Sequence, residues 1–242
     1  GAAIEGVDYK NLPNQIVVPV GSKAASIDLN ATDDELDEED KEDVVFEVMS
    51  AENAIKAGLQ TQTVMIVDDE LPPVVTLSVG TFELNEDAGI TSAIVTVSID
   101  VVSGKEITVN LSKAGTAQDT VDYRLETAML VIPPGSKFAT TTLSSIPDSI
   151  DEKDETVELS INAVNNGAKT ALPPQIVTIL DDEKAPTITL TVTPDKIGEN
   201  VGTVVSTVRV TLSAISGLDV KVDFVKGGSA KDGIDYNLSP TM

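Results

Sequence analysis

Residues 64–70 read VMIVDDE, and residues 177–183 read VTILDDE. In both stretches a run of apolar and β-branched residues, which is typical of a strand, is followed directly by three carboxylates. Carboxylates that stand side by side repel one another unless a cation lies between them. The two stretches therefore predict strands that end, in register, at a site able to hold a hard cation.

The chain of 242 residues carries an internal repeat. The triplet DDE recurs after 113 residues, at positions 68 and 181, and the pair Asp-Tyr recurs at positions 8, 122 and 235. The residues before each pair also agree, as GAAIEGVDY, GTAQDTVDY and GSAKDGIDY. The spacing predicts three copies: residues 1–70 are the C-terminal part of a first copy, 71–183 a complete copy, and 184–242 the N-terminal part of a third.

The middle copy contains seven short segments of apolar or alternating character, separated by turn residues such as Ser103-Gly104 and Asn166-Gly167. Such spacing predicts an all-β chain of tandem immunoglobulin-like, seven-stranded antiparallel β-sandwich repeats. The alternation places Val95, Val97 and Ile99 on one face of their strand. The segments are VVTLSV, SAIVTVSI, KEITVNLS, AMLVIP, KFATTTL, ETVELSINA and QIVTIL.

The amino-acid composition excludes several classes of function. Sixteen basic residues against 40 acidic ones give a formal charge of −24, which repels nucleic acid and anionic membrane surfaces. The chain has no Cys and no His, which removes disulfides, thiol nucleophiles, histidine acid–base chemistry and the usual zinc sites. No apolar run is long enough to insert into a membrane. A carboxylate pair such as Asp148 and Glu152 is uninformative among so many acids, so we expect no enzyme.

The middle copy carries the motifs NEDAG, GTAQDTVDY, VIPPGSK, IPDSIDEKDETVEL and VTILDDE. Together these five motifs resemble the Calx-β family, the β-sandwich module of sodium/calcium exchangers, of an integrin β cytoplasmic region and of very large surface proteins. In calcium-binding members the ligands come from the Glu of the first motif, the Asp of Asp-Tyr, the acidic loop and the final acidic triplet.

Position by position, the resemblance implies Ca²⁺ ligands in all three copies. Pro147 and Ser149 stand where fully loaded members have further Asp residues, which implies fewer ions or weaker binding in the middle copy. The implied ligands are Glu86, Asp122, Asp148, Glu152, Asp181, Asp182 and Glu183 in the middle copy, Asp8, Asp34, Glu38 or Glu39, Asp68 and Asp69 in the first, and Glu199 and Asp235 in the third.

The expected function is a calcium-binding structural and adhesive module of a long exported surface protein, extracellular or at the cell surface, with calcium at the sandwich tips stiffening the junctions between repeats. Two alternatives remain: a calcium-sensing regulatory domain of the exchanger type, and a scaffold or ligand-binding module without calcium. The expected partners are calcium ions, the neighbouring repeats and, by pairing of residues 1–70 with residues 184–242, another copy of the chain.

Overall fold

A computed structural model describes residues 1–39, 41–58, 60–199 and 205–239. Within those ranges the regular structure is all β, and no helix there is long and apolar enough to cross a membrane. Contacts divide the chain into unit 1 (Gly1–Pro147 with Asp154–Leu180) and unit 2 (Asp148–Lys153 with Asp181–Met242). The strands are β1 Lys41–Glu47, β2 Thr61–Val67, β3 Val74–Val79, β4 Glu83–Asn85, β5 Ser92–Ile99, β6 Ile107–Gly115, β7 Tyr123–Leu125, β8 Met129–Ile132, β9 Phe138–Ser145, β10 Glu155–Asn165, β11 Ala168–Lys169, β12 Gln175–Leu180, β13 Ile188–Thr193 and β14 Thr207–Leu212.

Strands β3 to β12 of unit 1 form two five-stranded sheets, in the orders β4-β12-β10-β6-β8 and β11-β3-β5-β9-β7. The seven predicted strands are confirmed as β3, β5, β6, β8, β9, β10 and β12. Three short strands, β4, β7 and β11, were not predicted, because two or three residues are too few to show a period. Two of them also add parallel pairs to an otherwise antiparallel fold, β4 with β12 and β11 with β3.

The core of the sandwich lies between the inner faces of these two sheets. Val95, Val97 and Ile99 of β5 are buried on one side, as the alternation predicts, and β6 and β10 supply buried residues from the other. Each fully buried aliphatic side chain contributes roughly 1.5–3 kcal/mol through removal from water. Tyr123 of the Asp-Tyr motif is the largest of the fully buried side chains, so it is a packing residue in the middle copy.

Two strand pairs repeat parts of this sandwich. In unit 1, β1 pairs with β2 so that Glu42 faces Ile66, the same register in which Glu155 of β10 faces Ile179 of β12. In unit 2, β13 pairs with β14 so that Leu190 faces Val210, as Leu77 faces Val97 between β3 and β5. The 113-residue period of the sequence is therefore also a period of strand register.

A third repeated element is the turn before each Asp-Tyr pair. The carboxylate of Asp122 accepts a hydrogen bond from the amide of Gln118, and the Asp122 amide donates to the Gln118 carbonyl. The Tyr123 carbonyl then accepts from the amide of Thr120 at 2.8 Å. The same bonds recur around Asp8 and Asp235. The Asp of this motif thus has a structural role in closing its own turn.

One residue in this turn must adopt a left-handed backbone. The copies place Gly6 there with φ of 86° and Gly233 with φ of 76°, but the middle copy places Thr120, with φ of 69°. A β-branched residue is strained at positive φ, whereas glycine is not. The glycines of the flanking copies therefore fit the turn better than the threonine does.

Thr120→Gly should raise the free energy of unfolding of the sandwich by about 1 kcal/mol, because it relieves left-handed strain of that order. Urea denaturation of the chain and the variant measures the difference. Gly6→Thr is the reverse change at the equivalent position and should destabilise. A loss of stability in Thr120→Gly would show that the threonine side chain stabilises the turn more than its backbone strain costs.

Candidate metal centre

Unit 1 contains a cavity of about 180 Å³ at the end of the β1–β2 pair. Its lining also includes the apolar side chains of Ile66 and Val67, which terminate β2, but it is dominated by acids. The carboxylates around it are Asp8, Asp33, Asp34, Glu38, Glu39, Glu42, Asp68, Asp69 and Glu70.

Three separate parts of the chain bring these carboxylates together: the Asp-Tyr turn, the stretch from the loop of residues 33–39 into β1, and the residues after β2. The Asp-Tyr turn supplies Asp8, the first turn of chain after β2 supplies residues 68–70, and β1 supplies Glu42. The loop of residues 33–39 folds back on itself, since the Asp34 side chain accepts a hydrogen bond from the Leu36 amide at 2.8 Å. The cavity is therefore built by strand ends and by loops that carry their own hydrogen bonds.

The carboxylates form two groups close enough to share a cation. One ligand oxygen from each of Asp8, Glu38 and Glu42 lies within 4.8 Å of the other two, and Asp33, Asp69 and Glu70 form a second such group. Oxygen ligands of calcium lie 2.3–2.6 Å from the ion, so ligands on opposite sides of one ion are about 5 Å apart. Both groups meet this condition.

The electrostatics of the cavity oppose ionisation. Burial raises the pKa of Glu38, and the charges of Asp8, Asp34, Asp68 and Glu70 raise it further. Burial also raises the pKa of Glu42, and a hydrogen bond with Asp8 is the second cause of this rise. Asp8 is itself only 7% exposed. A bound cation would reverse these effects, because it stabilises the ionised form of every carboxylate around it.

The donor set fits a hard divalent cation. Every charged ligand group in the cavity is a carboxylate, and the chain has no His or Cys with which to select a softer metal. The ligands come from loops as well as from strand ends, which suits the irregular coordination of calcium better than the strict octahedron of magnesium. Calcium is the ion that this arrangement is best able to hold.

The structure places all the residues expected for the first copy at this cavity: Asp8, Asp34, Asp68, Asp69 and both Glu38 and Glu39. It adds Asp33, Glu42 and Glu70, which were not among the expected ligands. The signal for one of them was present in the sequence, because Glu70 matches the expected ligand Glu183 at the 113-residue offset.

The expected ligands of the other copies lie in both units. In unit 1, Glu86 is half-buried and its amide donates to the Leu180 carbonyl at 3.1 Å, and Asp122 closes its turn. In unit 2, Glu199 and Asp235 are exposed to solvent.

The acidic loop and triplet of the middle copy lie together in unit 2. The side chain of Asp181 accepts a hydrogen bond from the Glu152 amide at 3.1 Å, and Asp148 accepts one from Ile150 at 2.7 Å. Burial raises the pKa of Glu183, and the charges of Asp182, Asp181 and Asp148 add to the rise. Among the described residues the buried Oε2 atom of Glu183 has no hydrogen-bond partner. A carboxylate oxygen so placed fits a metal ligand.

In chelator, unit 1 should become more stable as the pH is lowered from neutrality towards the ordinary glutamate pKa of 4.5. The pKa values of Glu38 and Glu42 are raised above their ordinary 4.5, so as the pH falls the folded state binds these protons at a higher pH than the unfolded chain does. The free energy of unfolding therefore falls as pH rises. Melting scans measure the slope, and Glu38→Gln, which cannot titrate, should flatten it. A slope of the opposite sign would contradict the assigned shifts.

The sequence matches the model of a known domain family. The model of the Calx-beta domain matches residues 1–70, 68–183 and 181–241. Extracellular matrix protein 3 of Lytechinus variegatus is 26% identical over 259 residues, which span 98% of this chain and 8% of that protein.

Solved structures of the same domain type are also similar. The crystal structure of the apo-form Calx CBD1 domain is 22% identical with a TM-score of 0.37, over 45% of this chain and 98% of that one. The crystal structure of CBD12 from CALX1.2 is 22% identical with a TM-score of 0.39, over 52% of this chain and 53% of that one. Together the three family matches run through nearly the whole sequence, and the chain belongs to the Calx-beta domain family.

Proposed function

We propose that the chain is a calcium-binding structural module, built from tandem Calx-beta repeats with boundaries near residues 70 and 183. The observation that carries the proposal is the cavity of residues 1–70, where nine carboxylates surround one space. A fold that gathers so much like charge is stabilised when a divalent cation binds there.

The proposed ligands fall into the two groups of the cavity. Asp8, Glu38 and Glu42 would hold one ion, and Asp33, Asp69 and Glu70 a second. In unit 2, Asp181 and Glu183 are the proposed ligands, because they belong to the acidic triplet that matches the triplet of the first copy in sequence. The role of calcium is to neutralise the strand ends and fix the loops that meet there.

A structural role in the extracellular space is favoured over a sensor of the exchanger type. The relative from Lytechinus variegatus is named an extracellular matrix protein, and the family model matches three times in tandem here. Extracellular calcium is about millimolar, so modules with dissociation constants of roughly 10⁻⁴–10⁻³ M would be filled there. We infer no catalytic role, in keeping with a family of regulatory and structural domains.

Calcium titration by calorimetry on the chelator-treated chain tests the proposal. We expect binding with a dissociation constant of roughly 10⁻⁴–10⁻³ M and a melting temperature that rises with calcium. Glu42→Gln and Asp69→Asn each remove one ligand charge from a different group and should weaken binding. Asp28→Asn, an exposed position outside the cavity, is the matched control.

Each other outcome has a meaning. Binding much tighter than about 10⁻⁵ M would support the sensor instead. No heat and no shift in melting temperature would overturn the calcium proposal and leave a scaffold module.

The exposed faces of the strand pairs favour one further interaction, with a second copy of the chain. Leu190 and Val210 of β13 and β14 are exposed, although their equivalents Leu77 and Val97 are buried in the sandwich core. In the sandwich, Leu77 and Val97 are covered by the opposite sheet, which includes β10 and β12. The pair β1 and β2 repeats the register of β10 and β12. We propose that residues 1–70 of one molecule cover residues 184–242 of another.

Sedimentation velocity at increasing concentration tests this association. The chain should form larger species, and Val210→Asp should abolish them by placing a charge on the apolar face. Thr211→Asp, one residue along on the opposite side of β14, should leave them intact. A monomer at every concentration would contradict the proposal.

A further inference from the structure

A second contact of the acidic loop of residues 33–39 does not involve the cavity. In unit 1, Asp37 of this loop meets the segment Ser103–Lys105, which lies between β5 and β6. The Ser103 hydroxyl donates to Asp37 Oδ2 at 2.9 Å, and the Gly104 amide donates to the Asp37 carbonyl at 2.9 Å. The Lys105 ammonium lies 3.0 Å from Asp37 Oδ1. Both carboxylate oxygens of Asp37 are thus engaged by protein groups.

This contact is sealed from solvent. Asp37 is 2% exposed and Ser103 is 1% exposed, although both are polar. A charge so deeply buried is stable only when it is paired and hydrogen-bonded, and Ser103 and Lys105 provide both. Asp37 does not line the carboxylate cavity, although its neighbours Glu38 and Glu39 do.

The same contact recurs inside unit 2, between different residues. The Ser216 hydroxyl donates to Asp151 Oδ2 at 3.1 Å, and the Gly217 amide donates to the Asp151 carbonyl at 3.0 Å. The serine hydroxyl also accepts a hydrogen bond from the amide two residues further on in both units. Ser216 accepts from the Leu218 amide at 3.1 Å in unit 2, and Ser103 accepts from the Lys105 amide at 3.0 Å in unit 1. The recurrence at the repeat period makes an accidental contact an inadequate explanation.

We infer that these two contacts form a latch, by which the acidic loop of one repeat binds the Ser-Gly segment of the following repeat in the chain directly, without an ion. In sequence, Asp37 belongs to the first copy and Ser103 to the middle copy, while Asp151 belongs to the middle copy and Ser216 to the third. The occupant of the surface is therefore the next repeat. The latch is a role for acidic residues that is separate from calcium binding and stands whether or not calcium binds.

The second position of the latch segment is a glycine in both units, and the acidic loop approaches it closely. A Cβ atom at Gly104 would lie 3.1 Å from Glu38 Cγ and 3.4 Å from the Asp37 carbonyl oxygen. A Cβ atom at Gly217 would lie 2.5 Å from Glu152 Oε1. The Ser-Gly pair thus provides a hydroxyl donor, an amide donor and the space for the loop to reach both.

The two latches differ at one position, which gives a way to test them. Lys105 forms an ion pair with Asp37, whereas Leu218 stands at the equivalent position beside Asp151 and has no charge. Hydrogen bonds to a charged group that is also ion-paired in a buried site are the stronger ones. The latch in unit 1 should therefore open less often than the latch in unit 2.

Amide hydrogen exchange of the full 242-residue chain in chelator reports both latches at once. The amides of Gly104 and Lys105 report the first, and those of Gly217 and Leu218 the second. Asp37→Ala should lower protection of the first pair by roughly tenfold or more, the effect of losing hydrogen bonds to a charged group, and leave the second pair unchanged. Asp151→Ala should do the converse, so each variant is the matched control of the other.

Two substitutions at the position where the latches differ, Lys105 and Leu218, test the latches without removing either aspartate. The test therefore does not depend on the folding of an aspartate variant. Lys105→Leu should lower the protection of Gly104 towards that of Gly217, and Leu218→Lys should raise the protection of Gly217. Unchanged protection of Gly104 in Asp37→Ala would overturn the latch. Protection in the unaltered chain that vanishes in chelator would overturn its independence from calcium, whereas a failed calcium titration alone leaves the latch intact.

Discussion

The main physical constraint on the structure around the cavity is the repulsion between carboxylates that are held close together at strand ends. The β1–β2 pair fixes Glu42 and the residues after Val67 at one end, and the Asp-Tyr turn adds Asp8 beside them. Strand pairing and burial hold these charges together against their repulsion, as the raised pKa of Glu38 shows. Such a site gains more from a cation than a surface cluster does, because its ligands cannot move apart.

Burial of apolar side chains provides the stability that offsets this repulsion between carboxylates. In the complete sandwich, buried residues from both sheets, such as Val97 and Val157, form one continuous core. The strand pair β13–β14 has the same register but leaves its apolar residues in contact with water. Register is therefore set locally by alternation and pairing, whereas burial needs the second sheet.

Much of the fold follows from the sequence because period and alternation are local properties. Seven strands and the facing of Val95 to Ile99 follow from alternation, and the gathering of Asp8, Asp34 and Asp68 follows from the repeat and the family motifs. The short strand β11 does not follow, because its two residues pair with β3 only after the sheets have formed. The role of Asp37 was also out of reach, because an Asp in an acidic run is indistinguishable from its neighbours until its partner, 66 residues away in sequence, is known.

Adjacent carboxylates in the same loop can therefore have opposite roles. Asp37 accepts hydrogen bonds from the next repeat and is satisfied by protein alone, whereas Glu38 faces a cavity crowded with like charge. A cation stabilises the second environment and has little to add to the first, where both oxygens already have partners. The loop backbone connects the two, so fixing Asp37 also restricts where Glu38 can lie. If calcium binds as proposed, its removal should relax the cavity while the proposed latch between repeats persists, and the stiffness of a tandem array would then have one component that depends on calcium and one that does not.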